Sequence, residues 1–146
     1  MVAIGSDHAG FEYKEFLKKL LNEIGISYQD FGALSDASVD YPDIAHIVSE
    51  AVVSGKYENG ILICGTGIGM SIVANKHKGI RAAVCESQKS AQLSREHNNA
   101  NILCLGARIL SWDIVSEIVK VFLSTPFSNG ERHERRIQKI HSITNL

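Results

Sequence analysis

The chain has 146 residues, of which 45% are apolar and 21% are charged, and 15 Lys and Arg stand against 16 Asp and Glu. This length and composition indicate one folded domain over residues 1–146 and exclude a disordered chain. The net charge of -1 and the lack of any apolar run near ~18 residues predict no nucleic-acid partner and no membrane partner.

Short β-branched segments alternate along the chain with longer segments of helical periodicity. The predicted strands cover residues 2–4, 27–31, 60–64, 81–85 and 102–105. The predicted helices cover residues 10–24, 44–54, a segment that ends near 76, and then 87–97, 111–123 and 131–143, while 36–43 is predicted to be a loop. This order predicts an α/β fold: a single three-layer αβα Rossmann-like domain with a five-stranded parallel sheet and a C-terminal helix.

In a parallel sheet, ligands bind where the strands have their carboxyl ends. That rule selects Asp7 and His8 after the first strand, and residues 64–69 after the third. It also selects residues 86–87 after the fourth strand and 106–108 after the fifth. We therefore expect these segments to lie along one edge of the sheet.

Glycines alternate with other residues in the segment Cys64-Gly65-Thr66-Gly67-Ile68-Gly69. Such a loop before a helix directs backbone N–H groups toward an anion, which can be a phosphate or a developing oxyanion. A dinucleotide site is a second interpretation, because Glu86 follows about 20 residues later, although the spacing is GxGxG rather than GxGxxG. A tight turn that needs glycine for packing is the third.

Cys64 ends the third predicted strand beside this loop, where a helix N-terminus would stabilise a thiolate. It is a candidate catalytic base, and a buried core cysteine is the alternative. Cys85 and Cys104 lie in apolar strands and are predicted to be structural. Three cysteines with no pairing pattern, and no visible signal segment, predict reduced thiols in the cytoplasm.

Two of the six histidines, His8 and His97, lie beside other polar residues and could transfer a proton to a sugar oxygen. His46, His77 and His141 are predicted to be ordinary surface histidines. A metal is disfavoured, because no HxH, HExxH or paired-cysteine spacing occurs in the sequence.

Three Arg and one His lie in the segment 131–136, at the predicted start of the last helix, where the helix dipole disfavours cations. Arg132 and Arg136 are four residues apart on one face and could together hold a phosphate. A solvated cluster balanced by Glu131 and Glu134 is the alternative. Arg108, after the fifth strand, is a further candidate for binding an anion.

Several short strings in this order resemble the type B ribose-5-phosphate isomerase family, which also contains the galactose-6-phosphate isomerase subunits. The strings cover residues 5–10, 39–43, 63–71, 74–76, 79–82, 94–98, 106–108 and 130–133. The resemblance extends over nearly the whole chain.

The resemblance implies an enzyme that interconverts D-ribose 5-phosphate and D-ribulose 5-phosphate through an enediolate, with no cofactor and no metal. It implies that Cys64 moves a proton between C1 and C2, and that His97, assisted by Asp7, opens the furanose ring. The Thr66 hydroxyl and the backbone N–H groups of residues 65–69 would stabilise the enediolate oxygen. The implied substrate-binding residues are Asp7, His8, Tyr41, Gly65, Thr66, Gly67, Ile68, Gly69, Asn98, Arg108, Arg132 and Arg136.

Members of this family are dimers or tetramers whose sites are shared between chains, so the resemblance implies that the arginine-bearing last helix serves a neighbouring copy. The resemblance also places the reaction in the non-oxidative pentose phosphate pathway.

Two alternatives stay open. The substrate could be a six-carbon sugar phosphate such as allose 6-phosphate or galactose 6-phosphate, or the chain could be a non-catalytic nucleotide-binding module.

Overall fold

Five parallel strands in the order β2-β1-β3-β5-β4 form the centre of the fold in a computed structural model that describes residues 1–146. The strands are β1 (Val2–Ser6), β2 (Tyr28–Asp30), β3 (Asn59–Cys64), β4 (Ala82–Val84) and β5 (Ile102–Gly106). The helices are α1 (Phe11–Glu23), α2 (Tyr41–Val53), α3 (Ile68–Ala74), α4 (Gln88–Asn98), α5 (Trp112–Ser124) and α6 (Glu131–Thr144). None of these helices is long and apolar enough to cross a membrane.

The sheet separates two hydrophobic cores. One core lies beneath α1, α4 and α5 and contains Leu17 and Phe122, and the other lies beneath α2 and α3 and contains Val48 and Met70. Neighbouring residues of β3 enter opposite cores, as the two-residue period of a strand requires. Burial on both faces explains why the central strands are continuously apolar. The predicted three-layer αβα fold is confirmed.

The second helix begins three residues earlier than predicted. The sequence suggested a loop up to Asp43, but α2 starts at Tyr41, with Asp40 at the N-cap position. Pro42 lies in the first turn, where no backbone N–H is needed and the fixed proline φ suits a helix. This start places Tyr41 at the edge of the sheet where the strands have their carboxyl ends.

A buried ion pair fixes the chain beside the end of β1. The side chain of Lys14 is fully buried, and its Nζ lies 2.7 Å from the carboxylate of Asp30 and donates to the carbonyl of Ala33 at 2.7 Å. Burial alone would raise the pKa of Asp30, but hydrogen bonds, that from Lys14 foremost, hold this pKa below its usual value. Ala33 in turn donates its N–H to the Ser6 carbonyl at 2.7 Å.

Candidate functional site

The loop after β3 lies directly against the end of β5. The carbonyl of Cys64 accepts the N–H of Ala107 at 2.8 Å, and the Cys64 sulfur accepts the N–H of Gly67 at 3.1 Å. Gly67 has a φ of 78°, and a Cβ there would lie 3.1 Å from the backbone of Leu105. Only glycine fits this position, and the loop's own backbone therefore holds the sulfur in place.

Three backbone N–H groups of this loop, those of Gly65, Thr66 and Gly69, donate no hydrogen bond within the chain. The remaining two N–H groups of the segment have acceptors: Gly67 donates to the cysteine sulfur, and Ile68 donates to Thr66 Oγ1 at 3.2 Å. The predicted set of five oxyanion donors is thus reduced to three. Free N–H groups in such a loop can bind a phosphate or an oxyanion.

Arg108 brings a positive charge to the same loop. Its backbone N–H donates to the Gly65 carbonyl at 3.0 Å, and a Cβ built on Gly65 would lie 3.3 Å from the Arg108 Nη1. The guanidinium therefore lies alongside the loop. Gly106 permits this arrangement, because a Cβ there would lie 2.9 Å from the backbone of Thr66.

The phenol ring of Tyr41 packs over the start of α3. A Cβ built on Gly69 would lie 2.7 Å from two atoms of this ring and 3.1 Å from its hydroxyl oxygen. Gly69 is therefore required for the ring to approach. Since Tyr41 is 40% exposed, its hydroxyl is available to a ligand at the loop.

Asp7 and His8 follow β1, the strand that pairs with β3. The buried Asp7 carboxylate accepts the N–H of Gly10 at 3.1 Å. His8 Nδ1 accepts the backbone N–H of Val39 at 3.4 Å, which leaves Nε2 as the ring's donor. The sequence did not reveal that Val39 orients the His8 ring, because Val39 does so through its backbone N–H and not through its side chain. We call Asp7, His8, Tyr41, residues 64–69 and Arg108 the carboxyl-edge group.

The other predicted site residues lie at the opposite edge of the sheet. His97 and Asn98 end α4, and the chain then enters β5 at Ile102. The guanidinium of Arg81, just before β4, donates to the carbonyl oxygens of Asn98 and Asn99 at 3.0 Å. Because a five-residue strand is about 16 Å long, no single sugar phosphate could contact both this edge and Cys64 in one chain.

The start of α6 belongs to this second edge. The rings of His97 and His133 stack, with centroids 4.2 Å apart and planes 9° apart. Arg132 and Arg136 are exposed on the same helix, one turn apart. Lost hydration, followed by the positive charges of His97, Arg132 and Arg136, lowers the pKa of His133. We call His97, Asn98, Arg132 and Arg136 the amino-edge group.

The sequence did not predict a function for His133, which was counted only as the histidine of the basic segment 131–136. Its stacking on His97 depends on how α6 packs across the end of α4, and a residue spacing cannot show this. Lost hydration lowers the pKa of His133 most, and the positive charges of His97, Arg132 and Arg136, which also lower it, would favour an anion here.

The sheet order contradicts the interpretation as a dinucleotide site. In such a site Glu86 would lie at the end of the strand next to the glycine loop. In the structure β5 lies between β3 and β4, so the segment that follows β4 is two strands, about 10 Å, from the loop. β4 also ends at Val84, before this glutamate.

The sequence pattern of the family described as Ribose/Galactose Isomerase matches residues 2–140. The ribose-5-phosphate isomerase B of Escherichia coli is 44% identical over 142 residues, which cover 97% of this chain and 95% of that protein. The D-erythrulose-4-phosphate isomerase of Pectobacterium atrosepticum is 41% identical over 130 residues, 88% of this chain and 86% of that protein. The solved structure of Clostridium thermocellum ribose-5-phosphate isomerase B is 48% identical, with a TM-score of 0.96 over 99% of this chain and 97% of that one.

The lowered pKa of His133 gives a direct test for an anion at the amino edge. We expect the His133 ring to titrate below the ordinary histidine pKa of about 6.5, because lost hydration, followed by neighbouring positive charge, opposes its protonation. Added inorganic phosphate should raise this pKa, since a bound anion favours the charged ring. NMR titration of the ring protons measures both values.

The matched control is the double variant Arg132→Ala, Arg136→Ala. It should raise the His133 pKa in the free protein and abolish the response to phosphate. A pKa of wild-type His133 that ignores phosphate at saturating concentration would remove the anion site from this edge.

Proposed function

The chain belongs to the ribose/galactose isomerase family and is a sugar-phosphate isomerase of the ribose-5-phosphate isomerase B type, and we propose that it interconverts D-ribose 5-phosphate and D-ribulose 5-phosphate. The observation that carries this proposal is the loop at the end of β3. It holds the Cys64 sulfur beside three free backbone N–H groups, with Arg108 alongside.

Isomerisation requires a base and an acceptor for negative charge, because a C–H bond next to a carbonyl is only weakly acidic. In the proposed reaction the Cys64 thiolate removes the C2 proton of the open-chain aldose, and the electron pair moves onto the C1 carbonyl oxygen. The free N–H groups of the loop and the Thr66 hydroxyl stabilise this enediolate. Transfer of the O2 proton to the O1 oxyanion and return of the carbon-bound proton from the Cys64 thiol to C1 then give the ketose.

The carboxyl-edge group supplies only part of such a site. A base that moves a proton between C1 and C2 does not open the furanose ring, which needs a separate acid–base group. His97, which we propose for that step, lies at the other edge of the sheet with Asn98, Arg132 and Arg136. We therefore propose a homodimer, or a tetramer made of two such dimers, in which the amino-edge group of one copy completes the carboxyl-edge group of its neighbour.

Exposed apolar residues beside the loop support a second copy at this place. Ile68 and Ile72 lie one turn apart on α3 and are 52% and 57% exposed. Apolar side chains on one exposed helix face form a surface that a partner can cover. In the assembled site, Arg132 and Arg136 of one copy and His8 and Arg108 of the other would hold the substrate phosphate.

The phosphate lies far from the reacting carbons, so its binding energy can position the substrate without changing the proton transfer. From the family resemblance we also assign Asp7 to assist ring opening. Tyr41 and Asn98 are assigned to contact the sugar. The three free thiols fit a reducing cytoplasm, where we place this reaction in the non-oxidative pentose phosphate pathway.

A side-by-side assay tests the substrate. We expect the purified protein to give its highest kcat/KM with ribose 5-phosphate among ribose 5-phosphate, allose 6-phosphate, galactose 6-phosphate and erythrulose 4-phosphate. The four-carbon sugar belongs in the set because the Pectobacterium relative is named for it. A higher kcat/KM for another sugar phosphate would replace the proposed substrate, and nucleotide binding without any turnover would favour the binding module.

Removing the proposed base should separate turnover from binding. We expect Cys64→Ala to lower kcat by about 10²–10⁴, because general-base catalysis contributes about that factor. Calorimetry should still detect binding of the sugar phosphate, since the free N–H groups and arginines remain. Cys85→Ala is the matched control, because it removes a buried thiol outside the site and should leave kcat near the wild-type value. Near-normal turnover by Cys64→Ala would refute the base assignment.

Mixing two inactive variants tests whether the site is shared. We expect Cys64→Ala and His97→Ala to be inactive alone, and a re-equilibrated 1:1 mixture to recover about a quarter of wild-type turnover. Half of the dimers would be hybrids, and each hybrid would contain one intact site and one doubly defective site. A mixture that stays inactive, although mass spectrometry shows hybrid dimers, would place the complete site within one chain.

A further inference from the structure

Three metal-ligating side chains meet between α2 and α3, and the proposed reaction uses none of them. His46 and Glu50 are four residues apart on one face of α2, and His77 follows the end of α3. One ligand atom from each side chain lies within 4.8 Å of the other two. His46 is exposed, as predicted for a surface histidine, whereas the His77 side chain is only 13% exposed.

The ring of His77 is oriented by the main chain. Its Nδ1 lies 3.1 Å from the carbonyl oxygen of Val73 and 3.2 Å from that of Ala74. Because a carbonyl oxygen can only accept, Nδ1 carries the hydrogen and Nε2 presents its lone pair. Histidines that bind metal ions commonly have this second hydrogen bond, which fixes the tautomer and the ring orientation. The side chain is only 13% exposed, so the ring is also held by packing.

The lone pair of His77 faces the other two side chains. Its Nε2 lies 2.7 Å from His46 Nδ1 and 3.7 Å from Glu50 Oε1. Ligand atoms of a tetrahedral zinc ion with bonds near 2.0–2.1 Å are about 3.3 Å apart. The two distances to His77 Nε2 therefore have to change by about 0.6 Å and 0.4 Å, and the distance between His46 Nδ1 and the Glu50 carboxylate, which is at most 4.8 Å, by up to about 1.5 Å. Glu50 is 57% exposed and His46 is exposed, so both can make that adjustment while His77 stays fixed.

The geometry points to a binding site for a Zn²⁺-class divalent ion, with His46 Nδ1, the Glu50 carboxylate and His77 Nε2 as ligands and water in the fourth position. Two imidazoles and one carboxylate select zinc, nickel or copper over magnesium and calcium, which prefer all-oxygen sites. The ion would join α2 to α3, the helices whose first turns carry Tyr41 and Gly69.

The competing explanation is a simple hydrogen bond from His46 to His77. A Co²⁺ titration of the tag-free full chain distinguishes the two, because four-coordinate Co²⁺ has intense visible d–d bands. We expect one Co²⁺ per chain, displaced by Zn²⁺, with no thiolate-to-metal charge-transfer band. The Cys64→Ala background excludes binding by that thiol.

His46→Gln, Glu50→Gln and His77→Gln should each weaken Co²⁺ affinity by at least about tenfold. His141→Gln is the matched control, since it removes a histidine outside both this cluster and the candidate substrate site, and it should leave the affinity unchanged. Thermal unfolding provides a second measurement. Zn²⁺ at about 100 times its Kd should raise the Tm of the wild type by roughly 5–10 °C and leave that of His77→Gln unchanged.

Three results would overturn the site. These are the absence of stoichiometric Co²⁺ binding, an affinity that the three cluster variants do not change, or an equal loss in His141→Gln. If Zn²⁺ leaves the Tm of the wild type unchanged and the cluster variants lower the Tm without metal, the cluster is a hydrogen-bonded pair only.

Discussion

The close approach of two backbone segments governs the rest of the candidate site. The loop after β3 touches the end of β5 so closely that a Cβ at Gly67 would lie 3.1 Å, and one at Gly106 would lie 2.9 Å, from the opposing main chain. At that separation no side chain fits between the two segments. Of the five backbone N–H groups of residues 65–69, one donates to the Cys64 sulfur, one donates to Thr66 Oγ1, and three donate no hydrogen bond within the chain. A side chain at either glycine would push the segments apart and displace the Cys64 sulfur and the free N–H groups together.

Two further close contacts attach the neighbouring elements to this loop. A Cβ at Gly10 would lie 2.5 Å from the Ile63 carbonyl, so the turn into α1 lies directly on β3, and Asp7 is fixed within that turn. Gly69 gives the same access to the Tyr41 ring. The fully buried Lys14 holds the segment behind β1 through Asp30 and Ala33, and breaking such a buried pair typically costs about 3–5 kcal/mol. The candidate site is thus held by close packing around these glycines and by the buried ion pair.

The part of the structure that follows from local pattern could be predicted from the sequence. The period of the apolar residues identified the strands and helices, and the carboxyl-end rule brought Asp7, His8, Cys64 and Arg108 together. The start of α2 was predicted wrongly because Pro42 looked like a loop residue, although it suits a first helical turn. Two other features depend on tertiary packing between residues that are 20 to 31 positions apart in the chain. β4 lies beyond β5 in the sheet, and His46 contacts His77. No spacing rule carries that information.

The arginines are divided between two edges of the sheet, so each edge is locally positive although the whole chain is nearly neutral. The net charge is only -1, yet lost hydration and local positive charge depress the pKa of His133 at one edge, and Arg108 stands beside free N–H donors at the other. In the proposed dimer a single phosphate would be held by both chains, so its binding and the association of the copies are linked. Ligand that binds only the assembled form stabilises it by RT ln(1 + [L]/Kd), about 2.7 kcal/mol at 100 times Kd. Neither edge alone would hold the phosphate as strongly, and an isolated chain would therefore lack the binding energy that positions the sugar over Cys64.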